Sequence, residues 1–495
     1  MEQRPGKPVD AAVNLSAAER IFSLPVLLAA ALAVVVYYLV PRSIADPDIW
    51  WHLRNAEYLV RTHSFIRRDM YSFTAFGAPW MNHEWLAELP FYFAWRWLGT
   101  AGLYAAVLCA VEAILFGVFY LALRSSGNTK SALLVAMVAA ALSTVSYGPR
   151  TLLFGWVCLI VELLIFERMR RDEAAIWGLP VLFLVWVNTH GSWLIGMVLF
   201  FVFVVCGSLN FRMGFVENTA WPRATTRKLS IAYLLSLCAL FINPYGWRLV
   251  AYPFNLAFHQ KLNIANVEEW RSLDFHTPRG RILLVCLALL FLFQLIRPRK
   301  WRLWELAFAF IGIYSAFTYT RFLFLAGILV MPVLAKSIPW PEQRGAKRAK
   351  PLIHMAFLFL LACMVVGRSR DIAKTSATDE QHYPVQAQAF LSGFHPDGKV
   401  FNDYLWGGYL IWNDRQIPVF VDSRVDIFEY NGTFKDYLDI AHLHDSLALL
   451  NKHHIRYVLF EKDTPLVYML KNTGAWKTDF EDQTSVLLER KASVE

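Results

Sequence analysis

Asp46-Pro47-Asp48-Ile49-Trp50-Trp51-His52 follows directly on the first long apolar run of the chain, residues 21–40. About 20 apolar residues are what one helix needs to cross the hydrocarbon core of a bilayer. The stretch therefore reads as the start of a loop on the far side of a membrane. Its two tryptophans suit the membrane–water interface, where a ring is half buried. Its two carboxylates then stand just outside the lipid, aimed at whatever lies on the membrane surface. The rest of the chain is expected to be scaffolding around that spot.

Composition agrees. Of 495 residues, 56% are hydrophobic, 15% aromatic and only 18% charged, and the mean hydropathy is +0.37. That is too apolar for a soluble enzyme. The net charge of +9 comes in short basic clusters between apolar runs. This is the pattern of cytoplasmic loops under the positive-inside rule, and it argues against a nucleic-acid partner. All six cysteines fall inside apolar runs with no metal-ligand spacing, so neither disulfides nor a zinc site is expected. Ser43-Ile44-Ala45 has the form of a signal-peptidase site. The run before it exceeds the roughly 7–15 residues of a signal core, so an uncleaved first span is expected.

Taken in order, residues 1–20 are polar and basic and belong in the cytoplasm. A membrane domain, 21–369, follows, with a first outer loop over 41–85. Within or beside that loop, two amphipathic interface helices are expected, over 50–63 and 84–98, the second kinked by Pro90. Ten further apolar runs follow at about 101–123, 131–147, 152–167, 175–190, 193–210, 229–243, 281–296, 303–318, 320–337 and 351–367. About eleven spans in the cytoplasmic (inner) membrane put the C-terminus outside. Five basic loops then land on the cytoplasmic side, consistent with that register. Residues 370–495 are polar enough to form a soluble extracytoplasmic α/β domain. Its expected strands are 399–401, 417–421 and 456–460, and its expected helices 405–412 and 446–453.

The polar groups that could do chemistry converge on the outer face. Asp46 and Asp48 admit two readings. In one, Asp46 caps a helix that starts at Pro47 and Asp48 favours its dipole. In the other, one carboxylate is a general base for an acceptor hydroxyl or amine, and the other orients the acceptor or binds a cation. His52 is either an interfacial histidine or a phosphate or metal ligand. His83 and Glu84 close the same loop; on one helix they would point about 100° apart and share only a cavity rim. Asn188 and His190 stand at a membrane exit, as a cap or as substrate contacts. Glu268-Glu269-Trp270 is either a solvated loop or a sugar site, since carboxylates accept from hydroxyls and Trp stacks on a pyranose. Arg150 and Arg321 could each take a lipid phosphate on a guanidinium fork. Arg321 is preferred because it has little loop to solvate it. Glu112 is read as the acid near the middle of a span, a functional suspect by position. Asp422-Ser423-Arg424 follows an expected strand, where α/β sheets bind ligands. No cofactor is certain; a divalent cation, if used, has Asp46, Asp48, His83 and Glu84 as candidate ligands. No phosphate-binding glycine loop occurs.

With the Asp-x-Asp motif, the interface helices, the many spans and a C-terminal outer domain in view, the chain resembles the GT-C glycosyltransferases. Asp46-Pro47-Asp48-Ile49-Trp50-Trp51-His52 and Asn82-His83-Glu84-Trp85 look like the corresponding stretches of a bacterial group placed in that superfamily. The resemblance implies an inverting transferase, a polyprenyl-phosphate sugar as donor, and a base in the first outer loop. Many members have adjacent acids; here Pro47 separates them. The acceptor class stays open between glycan, lipid and protein. A non-catalytic protein that binds or moves a lipid-linked glycan is the competing reading. A secondary transporter would show paired halves and several intramembrane charges, and the sequence shows neither.

Overall fold

The computed structural model describes residues 22–340, 351–369 and 380–491. The N-terminal tail, the basic cluster of 344–350 and the expected start of the C-terminal domain at 370 lie outside them. All eleven apolar runs fold as helices, from Leu24–Leu39 to Pro351–Ser369. Among the described residues, five helical stretches are long and apolar enough to cross a membrane: Trp85–Ser126, Thr129–Ser146, Pro278–Ile296, Thr320–Ser337 and Leu352–Ser369. Four others, including Leu24–Leu39 and Leu303–Thr318, are apolar but shorter. Length and composition thus support crossing for five, not for eleven.

Helix Leu323–Ser337 is the axis of the bundle, buried on nearly every face. It packs against Thr129–Ser143, Leu303–Thr318 and Trp85–Ser126. Small side chains allow the approach. A Cβ at Gly327 would lie 3.3 Å from that of Ala139. At the periphery, Phe291 and Leu295 of Pro278–Ile296 are left largely exposed. The six cysteines are free. Glu162, inside Leu152–Arg168, is fully buried and neither carboxyl oxygen has a hydrogen-bond partner. Glu112, by contrast, is half-buried.

The first loop departs from expectation. Helix Asp48–Thr62 buries its N-terminal half inside the protein. It is sandwiched between residues 85–98 and helix Tyr404–Asn413 of the C-terminal domain. Trp50 and Trp51 are therefore core residues, not interface anchors. Trp50 meets Trp95, Tyr383 and Tyr409 edge to face at 5.2–5.7 Å. The second loop helix does form, but it runs on into a span as Trp85–Ser126. The break falls at Gly99 (φ 58°, ψ −138°), not at Pro90. Only glycine tolerates that backbone.

The C-terminal domain holds a four-stranded sheet of order β3 (Lys399–Asn402), β4 (Ile455–Glu461), β6 (Ser485–Arg490), β5 (Trp476–Glu481). β3 and β4 are parallel and the rest antiparallel. Residues 417–421 are not one of its strands. They run extended between Asn402, whose side chain accepts from the Phe420 N–H at 2.7 Å, and the first loop, where the Val419 N–H donates to Tyr71 O at 3.1 Å. The apolar run was legible, but its partner is the loop. Gly408 lets the domain dock, since a Cβ there would sit 2.6 Å from Pro47 O.

Candidate active site

Asp46 takes the capping role and a second one. Its Oδ1 accepts the Asp48 N–H at 3.0 Å, and Pro47 is helical (φ −71°, ψ −23°), so the helix in effect starts at Pro47. Its Oδ2 accepts from the Arg150 guanidinium, which also pairs with Glu269. The chain Asp46–Arg150–Glu269 joins three loops at one end of the bundle. Arg150 is thus already neutralised twice, which disfavours it as a phosphate ligand.

Asp48 is freer. It is half-buried; its Oδ1 accepts a long bond, 3.3 Å, from Trp51 Nε1, and the Ser423 hydroxyl also bonds the carboxylate. The Trp51 N–H is shared with Ser423 Oγ at 3.0 Å. Burial, and then the negative charge of Asp46, push the Asp48 carboxyl up to about 6, against the pull of His52, Ser423 and Arg150.

The second group centres on Glu84. Helix Trp85–Ser126 begins just after it, so His83 and Glu84 lie in a turn and can face each other. Oε1 lies 3.4 Å from His83 Nε2 and 3.2 Å from His190 Nε2. Oε2 lies 3.5 Å from His52 Nε2 and accepts from Thr151 at 2.9 Å. His190 Nδ1 accepts the Ser192 N–H, so Nε2 carries the proton of the neutral ring. Burial drives His190 down to about 4. Burial also acts to lower His52 and His83, but Glu88 on the first and Glu84 on the second outweigh it and raise both. Burial acts to raise Glu84, yet the charges of His83 and then His190 hold it well below the usual carboxylate range.

Behind this group is Glu88, fully buried, which sequence reading missed. It binds His52 Nδ1 at 2.8 Å, Asn55 at 3.2 Å and Asn82 at 2.6 Å. Its signal was the spacing Glu84…Glu88, one helical turn. Tyr252 and Asp426 were missed too: the Tyr252 ring stacks on His83 at 4.2 Å and its hydroxyl donates to Asp426 at 3.2 Å.

Arg321 completes the set. Its guanidinium lies over the Trp270 ring at 4.3 Å, and its Nε is buried without a partner. The charges of Asp48, Glu84 and Arg150 all reach it. Trp270 thus gives one face to Arg321 and stands perpendicular to the Tyr319 ring at 5.1 Å, and Glu268 is exposed. Asn188 is committed to the scaffold: it accepts from Trp85 Nε1 at 3.0 Å and donates to Leu184 O and Ile242 O. Among the described residues, no group of three or more His, Cys, Asp or Glu is arranged to hold a metal ion. Asp46 is taken by Arg150 and Glu84 by imidazoles, so Asp46, Asp48, His83 and Glu84 do not fit one shared cation.

No family model and no curated protein matches the sequence. Solved structures do. The Archaeoglobus fulgidus oligosaccharyltransferase tethered with an acceptor peptide aligns over 96% of this chain and 75% of its own, with a TM-score of 0.55 and 11% identity. ArnT from Cupriavidus metallidurans bound to undecaprenyl phosphate aligns over 97% of this chain and 99% of its own, with a TM-score of 0.56 and 12% identity. The chain shares its overall fold with both.

The fold is GT-C-like.

At 11–12% identity the likeness establishes the fold alone. The chemistry has to be argued from the residues that this fold brings together: Asp46, Asp48, Arg150 and Glu269 in one group, His52, His83, Glu84 and His190 in the next, and Arg321 on Trp270 beside both.

Proposed function

We propose that the chain is an integral membrane glycosyltransferase that moves a sugar from a polyprenyl-phosphate donor to an acceptor on the extracytoplasmic face, with inversion. The observation that carries this is Asp48, a lightly bonded carboxylate titrating near 6, within electrostatic reach of Arg321, a cation whose buried Nε has no partner. A general base works best with a pKa near the operating pH. Asp48 takes the proton from the acceptor hydroxyl or amine. The acceptor oxygen or nitrogen then attacks the anomeric carbon. The bond to the phosphate oxygen breaks, and its electron pair leaves with the polyprenyl phosphate, whose charge Arg321 holds. Asp46–Arg150–Glu269 keeps the loop in place, and the histidines around Glu84 line the flank where sugar hydroxyls would bind. The undecaprenyl phosphate bound to ArnT and the acceptor peptide tethered to the oligosaccharyltransferase support such partners.

The test is a donor screen. Purified full-length protein in liposomes is given radiolabelled polyprenyl-phosphate sugars, and release of polyprenyl phosphate is followed with membrane extracts as acceptor source. Release that needs both donor and acceptor supports the reading. A panel in which donors bind but none turns over favours a protein that binds or moves lipid-linked glycans.

A further inference from the structure

Three helices have one end at the site above and the other at a second feature. Leu152–Arg168 starts after Thr151, the Glu84 partner, and ends beside Arg170. Leu323–Ser337 starts after Arg321 and carries Lys336 in its last turn. Leu303–Thr318 starts after Arg302 and ends close to Arg321. At about 1.5 Å per residue, the two ends lie roughly 25 Å apart. At the far end is a cavity of about 710 Å³.

Five cations line it: Arg170, Arg171, Lys300, Arg302 and Lys336. Its two carboxylates are already paired, Glu217 with Lys300 and Glu173 with Lys228. Arg171 and Arg302 have no ion pair of their own among the described residues. Burial, and then the charge of Arg170, hold the Arg302 pKa below its ordinary value, so these cations crowd one another. Trp301 is 5% exposed, and its Nε1 has no hydrogen-bond partner. The hairpin β1 (Phe211–Met213) and β2 (Val216–Asn218) fixes it there, with Glu217 N–H donating to Trp301 O and Trp301 N–H to Phe215 O, both at 2.9 Å. A cavity with surplus positive charge and an unused indole donor is built for an anion.

A second crevice adjoins it, mostly apolar but also lined by Arg124, Glu167 and Glu305. The two carboxylates pair with Arg170 and Lys336 and leave Arg171 and Arg302 as the surplus charge. Leu163, Phe166, Phe308 and Leu329 line that crevice, and Arg170 and Trp304 line both spaces. Hydrocarbon in the crevice and a phosphate in the basic cavity would suit one amphiphile.

We infer that this end of the bundle is a binding site for a phosphate-bearing lipid, with the headgroup among Arg170, Arg171 and Arg302 and an acyl chain against Phe166 and Leu329. It lies too far from Asp48 to serve the transfer step itself.

The test titrates the purified full-length protein in detergent and reads bound lipid by native mass spectrometry. The probes are dioleoylphosphatidylglycerol, dioleoylphosphatidylcholine and inorganic phosphate. Phosphatidylglycerol should bind more tightly than phosphatidylcholine, and millimolar phosphate should not displace it. At about fivefold per basic residue, Arg171→Gln with Arg302→Gln should weaken phosphatidylglycerol about thirtyfold. Arg171→Gln alone, in an exposed turn, should weaken it about fivefold. Lys435→Gln with Lys471→Gln removes the same net charge elsewhere and should change nothing. Unchanged binding in the arginine variants, or an equal loss in the lysine control, overturns the site. Displacement by inorganic phosphate overturns the lipid and leaves a free-phosphate site.

Discussion

Nη2 of Arg424, in the C-terminal domain, lies 2.8 Å from Oδ1 of Asp69, in the loop after the first apolar helix, with both side chains buried. Asp422 holds the same guanidinium at 2.6 Å, and Tyr71 and Trp80 cover its faces. This clamp sets Ser423, and so the shared N–H of Trp51, against Asp48. Arg424→Met leaves two buried carboxylates unpaired. It should cost about 3–5 kcal/mol, read as a thermal midpoint lowered by several degrees in detergent, with activity falling in parallel.

The pH profile follows from Asp48. A protonated carboxyl cannot accept a proton, and this one titrates near 6. The transfer rate should therefore rise as pH climbs through about 6 and level above about 7. The measurement is kcat/KM against pH from 5 to 8; a flat profile would count against Asp48 as base.

His190 gives a pH effect on stability. Its folded pKa, about 4, is below the ordinary 6.5. Its contribution is therefore complete above 6.5 and is lost as pH falls toward 4. His52 and His83 are raised and carry the opposite sign: theirs is present below 6.5 and lost as pH rises through their folded values. His190→Gln should remove part of the acid-side loss, on the order of a few kcal/mol. Thermal midpoints of wild type and variant between pH 4 and 7 decide it, with convergence expected at the acid end.

Arg321→Gln should lower kcat/KM for the lipid-linked donor about 10–150-fold, the worth of a hydrogen bond to a charged group. Arg321→Lys should restore part of it, since a point charge replaces a fork. The thermal midpoint should move little, because the stacking on Trp270 that is lost is offset by removing a buried charge whose Nε has no partner.

The bundle was legible in the sequence because apolar runs and basic loops are local signals. The first loop was legible as the centre of interest for the same reason: Asp46, Asp48, His83 and Glu84 stand out where lipid ends. Their grouping was not. Glu88 is hidden in an apolar helix, and Ser423 arrives from 375 residues further on in the chain than Asp48. Trp50 and Trp51 misled, because an aromatic pair looks alike whether it meets lipid or a docked domain. Residues 417–421 misled in the same way: the pattern reports burial in extended form, not which neighbour supplies the hydrogen bonds.

The central claim is that Asp48 is the base, and paired substitutions test it most directly. Asp48→Asn keeps the shape and removes the proton acceptor. Initial transfer rates are compared for wild type, Asp48→Asn and Asp46→Asn with a donor the wild type uses. The account predicts a loss of about 10²–10⁴ for Asp48→Asn with no fall in thermal midpoint, since the fold already disfavours the ionised form. Asp46→Asn should cost less in rate and more in stability, through Arg150. An Asp48→Asn protein that transfers sugar at the wild-type rate would contradict the account.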